Sequence, residues 1–508
     1  MRGPSSSHCA ASVRIGRLAR DLMGGMIKDI LIEFDAKGAL ATTHESQGSD
    51  MGLYGGFLGW EASDERLVNS AEAVKEAGIK VAIEIKDLGA QHPSTYKLTL
   101  KNDREAHEMV AISSGGGMIE IVEIDRVKVS MFGDCYETLL YTDDLRVLKY
   151  LQRNLPNDEM FIHRGTASTF IEVKTQRVLD EEFLQRIRTK FNIMNIVQLS
   201  PVLPVLSRKG QEVPFVTCNE MLQYNESKNL DLWELAVHYE SMRGTISTEE
   251  VLNKMKRIVR IMETSISKGM KGTDYKDRIL GYQSGLFKTQ WENEKLLDGG
   301  ILNQMILYIT AMMEIKSSMG VIVAAPTAGA CGTIPGTLLG AAHSMKRSEE
   351  EVAKAMLAAG MIGVFISNQA TFSAEIGGCQ AECGSASGMA AAGLVTLMKG
   401  SRRQTIDAAS MALQNIFGMV CDPVANRVEV PCLGKNILAA SNALACANMA
   451  LANYDAVLPL GEVIEAMNQV GQSIPYELRC TALGGLSITK TAKLLEEKLK
   501  QKVNNDEI

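Results

Sequence analysis

From Ile315 onward the chain changes character: Ala, Gly, Ser and Met dominate and charges become sparse. The run from Gly320 to Ala342 contains no charged residue. Sequence of this kind has to be buried, and its small residues let helices approach closely and bring backbone groups near a buried centre. The run is long enough to span a bilayer. Pro326, Pro335 and the glycines between them predict a buried, broken helix pair instead. Upstream, WELAVHYESM, STEEVLNKMKRIVRIMETSISKGM and LNQMILYITAMMEI read as amphipathic helices, with a capping signal at STEE (247–250). Residues 230–500 are therefore expected to form a mostly α-helical domain with a nearly uncharged interior. Its methionines read as core filler rather than as a ligand set.

The first part of the chain reads differently. ILIEFDAKGAL (30–40) and KVAIEIKDLG (80–89) predict strands, with a helix over VNSAEAVKEAG (68–78) and a glycine turn feeding a further strand at SSGGGMIEIVEID (113–125). Residues 1–130 are thus expected to be an α/β domain. Residues 131–205 predict strand, helix, two strands, helix and strand, an α+β ferredoxin-fold unit of the ACT-like kind. TDDLR stands where ACT domains usually carry a glycine turn, so a ligand-free packing or dimerisation module is the safer reading. Residues 206–229 are polar and poorly periodic and read as a linker. A chain of 508 residues has room for these several domains.

A net charge of −7 with no basic block argues against nucleic acid as a partner. The N-terminal MRGPSSSHCAAS has no apolar h-region, so no secretory signal is expected. The ten cysteines are not spaced as a disulfide framework and read as reduced thiols of a cytoplasmic protein. GPSSSH precedes the helix pattern SVRIGRLARDLMGG. Ser5, Ser6, Ser7 and His8 therefore sit at a helix start, where hydroxyls and backbone N–H groups suit a carboxylate or phosphate; a serine-rich N-cap is the plainer alternative.

Cys379, Cys421 and Cys432 lie beside glycine, proline and acidic residues. Turns can aim sulfurs at a common point, as a soft metal centre requires. The excursion DPVANRVEVP reads as hairpin-like, with a short strand around Val428 and Val430 that returns Cys432 towards Cys421. Cys383, four residues beyond Cys379, would share a face with it on a helix. Spacing alone leaves open both a metal site and three buried core cysteines.

Taken together, GPSSSH (3–8), HPST (92–95), SGGGMIEI (114–121), SMGVIVAAPTAGACGTIPG (318–336), CQAECGSASGMAAAG (379–393), CDPVANRVEVPC (421–432) and ELRCTALGGL (477–486) resemble the iron–sulfur-dependent bacterial L-serine dehydratases, with β and α portions fused in one chain. The resemblance covers nearly the whole length. It implies a [4Fe–4S] cluster on Cys379, Cys421 and Cys432 with one iron free of cysteine, and an L-serine ammonia-lyase that forms pyruvate and ammonia without pyridoxal phosphate. The substrate is then a small amino acid, no membrane is involved, and a homodimer is expected. Candidate substrate-binding residues are Ser5, Ser6, Ser7 and His8, Thr327 and Gly329 of the APTAG turn, and Lys435 and Asn436. Candidate catalytic residues are His8, Gln47, Lys316 and Cys480. Glu382 and Asp422 read as supporting groups rather than as acids in catalysis.

Three positions depart from the family pattern. Gln47 stands where a GHGTD-like stretch has histidine, and a neutral amide is not a general base. Lys316 replaces an asparagine. Cys480 replaces the glutamate of RETxxGGL, and its thiol would either approach the open iron or simply pack. Some single-chain members also end in a cysteine that reaches the cluster, whereas this chain ends NNDEI. The same cluster chemistry on another β-hydroxy or β-substituted amino acid, and a non-catalytic amino-acid sensor, stay open as alternatives.

Overall fold

The computed structural model describes residues 1–165, 168–203 and 212–504. It divides into two units, Ser7–Glu212 and Met1–Ser6 with Val213–Ile508.

The first unit is built on two sheets. β1 (Asp29–Asp35), β2 (Lys80–Lys86), β3 (Thr95–Lys101), β4 (Ala106–Gly115), β5 (Met118–Ile124) and β6 (Val127–Met131) form a sheet of order β2-β1-β3-β4-β5-β6. Only β1 and β2 pair in parallel. A parallel pair needs a crossover, and the helices Ser49–Phe57 and Ser70–Glu76 supply it. Strand alternation sends Ile30, Ile32 and Phe34 into the core, together with Tyr96, Leu98 and Leu100. Helices Ala11–Leu22 and Ser49–Phe57 pack closely because Gly56 leaves room: a Cβ there would stand 2.4 Å from the Val13 carbonyl oxygen.

The second sheet comprises β7 (Tyr136–Tyr141), β8 (Glu159–Arg164), β9 (Thr169–Thr175) and β10 (Asn195–Leu199), all antiparallel, in the order β10-β7-β9-β8. Its helices, Arg146–Asn154 and Glu181–Lys190, bury Val147, Leu151, Leu184 and Ile187 against Leu140, Ile171 and Val173. The alternate residues Leu139, Tyr141 and Phe170 face the other way and join the core of the first sheet.

The linker expected over 206–229 lies in part outside the described residues, at 206–211. Its later half is a correction: Cys218–Asn225 is a helix, started by a capping box between Thr217 and Glu220. The polar composition that suggested a linker belongs to this helix's exposed face, while Cys218 and Met221 are buried.

The second unit is mostly helical. Its central helix, Ser385–Leu397, buries every side chain but Thr396, the pattern of a helix enclosed on all sides. It packs against helices Thr333–Met345, Glu349–Gln369, Arg402–Gln414 and Cys432–Leu451. Of the uncharged run, only the part from Thr333 is helical; 320–332 is an irregular, turn-rich segment rather than the first of two helices. Among the described residues no helix is long and apolar enough to cross a membrane.

Candidate metal centre

Cys379 enters the site on a turn that Gly378 makes with φ +71°, a conformation open to glycine. Gln380 fixes that turn. Its backbone N–H donates to Met419 O at 3.0 Å. Its side chain donates to Met467 O and accepts from Gly418 N. A widened helical turn, Gln380–Gly384, then leads into the central helix. Cys379 and Cys383 consequently part company. Cys379 joins a small cluster with Ala374, Cys421 and Cys480, and Cys383 joins the main helical core.

Cys421 is aligned by backbone pairing with a distant segment. Its N–H donates to Leu478 O at 2.8 Å, and its carbonyl accepts from Cys480 N at 2.9 Å. The excursion from Cys421 to Cys432 does return, but not through a strand. Val424–Asn426 is a tight helical turn with Ala425 at φ 50°, and Val424 N closes the loop on Val430 O at 2.8 Å. Two successive positive-φ residues, Ala425 and Asn426, break the alternation that the sequence around Val428 and Val430 implied. Cys432 then opens the helix Cys432–Leu451, 5% exposed.

Ligand atoms of Cys379, Glu382 and Cys421 lie within 4.8 Å of one another and could hold a metal ion. Burial and the neighbouring Cys379 sulfur push the Cys432 thiol up, so Cys432 belongs to the same electrostatic neighbourhood. Glu382, placed among supporting groups on sequence grounds, is thus part of the centre. The signal was its spacing, one helical turn from Cys379. Burial pushes its carboxyl up to about 7, against the pull of the Thr327 hydroxyl, which donates to it at 2.6 Å. Gly329 permits that approach, since a Cβ there would stand 2.8 Å from both Glu382 carboxylate oxygens.

Positive charge lies beside the sulfurs. The Lys435 ammonium donates to Val420 O at 2.6 Å and to Asp422 at 2.9 Å. Burial alone would lower its pKa, but the Cys379 and Cys421 sulfurs and Asp422 outweigh that and raise it. Asp422 also accepts from Leu486 N at 2.9 Å, so it ties the Cys421 loop to the C-terminal segment. Lys316 is 1% exposed and donates to Val428 O, bracing the loop that returns Cys432.

Asn436 is spoken for within the protein. Its amide donates to Gly329 O and Cys432 O, both at 2.8 Å, and its carbonyl accepts from the Thr333 N–H and hydroxyl. The side chain thereby clamps the turn at Gly329 to the helix of Cys432. Ser6 likewise accepts from Ala328 N at 3.1 Å within the helical unit. Ser5 is buried in that unit.

Ser7 and His8 belong to the sheet unit. There His8 is fully buried, with its Nε2 2.8 Å from the Thr43 hydroxyl and its Nδ1 3.1 Å from the Ser7 hydroxyl. Gln47 N donates to Thr43 O at 2.9 Å, so His8 and Gln47 converge on one residue. The nearby His44 is committed to an ion pair with Asp50. Burial lowers its pKa, but Asp50 more than compensates, and the net shift is upward.

Comparison with known proteins adds a second line of evidence. The profile of the family described as "Serine dehydratase alpha chain" matches residues 227–487. Over 285 residues the chain is 35% identical to the probable L-serine dehydratase, alpha chain, of Bacillus subtilis (strain 168), covering 56% of this chain and 95% of that protein. It is 34% identical to the L-serine dehydratase, alpha chain, of Peptoniphilus asaccharolyticus, covering 54% of this chain and 95% of that one. A longer match, to an L-serine dehydratase of Streptomyces coelicolor, is 25% identical and covers 84% of this chain and 91% of the relative.

Proposed function

The chain belongs to the serine dehydratase alpha chain family, and on that premise we propose that it is an L-serine ammonia-lyase. It would remove water from L-serine by β-elimination and release pyruvate and ammonia. The observation that carries this reading is the convergence of buried cysteines from separate segments beside the half-buried Lys435.

The donor set fits an iron–sulfur cluster. All ten cysteines are free thiols. The sulfurs sit on glycine- and proline-bounded turns, and the Lys435 ammonium offsets the negative charge that thiolates would bring. Cys379, Cys421 and Cys432 would hold a [4Fe–4S] cluster. When bound, such a cluster with one iron free of these cysteines supplies a Lewis acid for the substrate hydroxyl.

The remaining work falls to the chain's own groups. Lys435 is the charge for the substrate carboxylate, and Asp422 keeps it in place. Ser6, Thr327, Gly329 and Asn436 hold the 326–330 turn in shape. Within the helical unit, Glu382 is chemically able to accept the α-proton. The enamine product needs only water to become the keto acid, so no pyridoxal phosphate is called for. The strand order of the second sheet, with its two helices on one face, is that of a ferredoxin-like unit, and we read it as an ACT-like packing module. A reducing compartment such as the cytoplasm suits the free thiols, and a homodimer is the assembly we expect.

The test is anaerobic. Purified protein should be brown, carry iron and sulfide, and convert L-serine to equal amounts of pyruvate and ammonia. Cys421→Ala should lose both iron and turnover. Silence on L-serine with turnover of another β-substituted amino acid would move the substrate, and a colourless, iron-free preparation would end the reading.

A further inference from the structure

Residues 271–282 run without regular structure between the helices Thr248–Gly269 and Gln283–Glu292. Backbone that lies outside a helix or sheet has to find its hydrogen-bond partners elsewhere. Here the partners come from the loop between Cys421 and Cys432. Glu429 is 5% exposed, and its two carboxylate oxygens accept from Ile279 N and Leu280 N, each at 2.9 Å. The Arg427 guanidinium donates to Asp277 from Nε at 2.9 Å and from Nη2 at 2.6 Å. Between these two anchors, Arg278 reaches a different element. Its Nη1 donates to the Ser318 hydroxyl at 2.8 Å and to the Thr273 hydroxyl at 2.6 Å, and its Nη2 donates to Thr273 O at 2.8 Å. Ser318 caps the helix Ile301–Ser317, where the chain passes into the irregular segment of Thr327 and Gly329. On the same helix Glu314 accepts from Ser284 N at 2.9 Å and from the Ser284 hydroxyl at 2.6 Å. Lys316, between Glu314 and Ser318, donates to Val428 O of the cysteine loop.

We propose that Glu429 and Arg278 are positioning residues for the β-elimination: residues 277–280 clip the loop of Cys421 and Cys432 to the segment of Thr327 and Gly329 and set the distance between them. The inference rests on the serine dehydratase reading and deepens it. The loop is built of tight turns rather than a ladder. Val424 N closes it on Val430 O, Arg427 N donates to Val424 O, and Ala425 and Asn426 both have positive φ. Its shape therefore depends on bonds from outside, and bonds to a carboxylate or a guanidinium are the strong ones. A β-elimination needs this loop and the turn beside Glu382 to meet one small substrate together. A misplacement of about 1 Å can cost about a hundredfold in rate. Glu314 already anchors the start of the helix Gln283–Glu292. The bonds of Glu429 and Arg278 come in addition, and they land on the two walls of the centre. Both residues act through the groups they bond, not on the substrate.

The experiment uses the full chain, reconstituted anaerobically with iron and sulfide, as wild type, Glu429→Gln, Glu429→Ala and Arg278→Gln. Turnover of L-serine is counted per bound cluster, so that a loss of iron alone does not register as a loss of rate. Glu429→Ala and Arg278→Gln should keep iron and lower kcat at least about tenfold, with KM nearly unchanged. Glu429→Gln keeps an oxygen for one of the two N–H groups and should recover part of the rate. The EPR spectrum of the reduced protein with L-serine present should differ between Glu429→Ala and wild type. Wild-type kcat per cluster in Arg278→Gln and Glu429→Ala overturns the inference, whatever their stability, and leaves the serine dehydratase reading standing. A loss confined to KM does the same. Should Glu429→Ala fail to fold, Arg278→Gln decides alone, since that side chain is only half-buried. A wild-type chain that takes up no iron overturns the serine dehydratase reading, and the inference with it.

Discussion

Asn436 and Lys316 illustrate how residue type and residue role come apart. Both stand in segments rich in functional signals, and both brace the fold, one bonded to backbone and Thr333 and the other to Val428 O. Residue type announces what a side chain can bond; only the fold says what it has already bonded. Glu137 on β7 is a sharper case. It is 2% exposed, its Oε2 has no hydrogen-bond partner, and burial together with the neighbouring Glu172 pushes its carboxyl up to about 8. The folded protein therefore keeps a proton that the unfolded chain releases near pH 4.5. The stabilisation is full below the unfolded value and is lost as pH rises through the folded one. Between about pH 5 and 8 the sheet unit should thus lose a few kcal/mol of stability. Glu137→Gln, which cannot ionise, should flatten that slope and raise Tm at pH 8 relative to wild type. Equal Tm–pH slopes for the two proteins would show that Glu137 titrates near its ordinary value.

At the scale of elements, local chemistry decided what could be read in advance. The capping signal at STEE works as written: the Ser247 hydroxyl accepts from Glu250 N at 3.1 Å and starts the helix Thr248–Gly269. Ser247→Ala should cost about 1 kcal/mol, seen as a lower midpoint in chemical denaturation followed by helical circular dichroism, with turnover unchanged. No shift in midpoint would mean that packing of Val259, Met262 and Ile266 alone holds the helix. Strands β1 and β2 and the later βαββαβ order were legible because alternation and periodicity are local signals. The segments that misled are those where tertiary structure overrides pattern. VANRVEV alternates like a strand, but the positive-φ pair Ala425 and Asn426 and the Val424–Val430 bond wind it into a loop. The first half of the uncharged run has helical composition but serves the site as an irregular turn, its shape set by Thr327, Gly329 and residues far away in sequence. The cysteines of the centre were legible as chemistry. The pairing of Cys421 with Leu478 and Cys480 was not, because a two-residue backbone bridge leaves no periodic trace.

On the scale of the whole molecule, the helical unit is not one continuous stretch of chain. Residues 1–6 belong with it, although everything from Ser7 to Glu212 belongs to the sheet unit. Six residues carry no periodicity, so the sequence pattern joins them to the helix that follows. Their contacts show what they do. Ile322 N donates to Met1 O at 2.9 Å, Arg2 donates to Met319 O at 2.8 Å, and Ser6 accepts from Ala328 N. All three bonds land on the irregular segment that ends at Thr327 and Gly329, beside Glu382. The segment borrows its rigidity from chain more than three hundred residues away. Ser6→Ala would leave the buried Ala328 N–H without its acceptor, at a cost of about 1–3 kcal/mol, and Arg2→Ala would remove about 1 kcal/mol more. The double variant should therefore speed amide hydrogen exchange across 319–330 and lower turnover, while exchange in β7 and β9 of the sheet unit stays as in wild type. Unchanged exchange at 319–330 would mean that Asn436 and the Thr327–Glu382 bond hold the turn unaided. Faster exchange in β7 and β9 would mean that the first residues support the sheet unit instead.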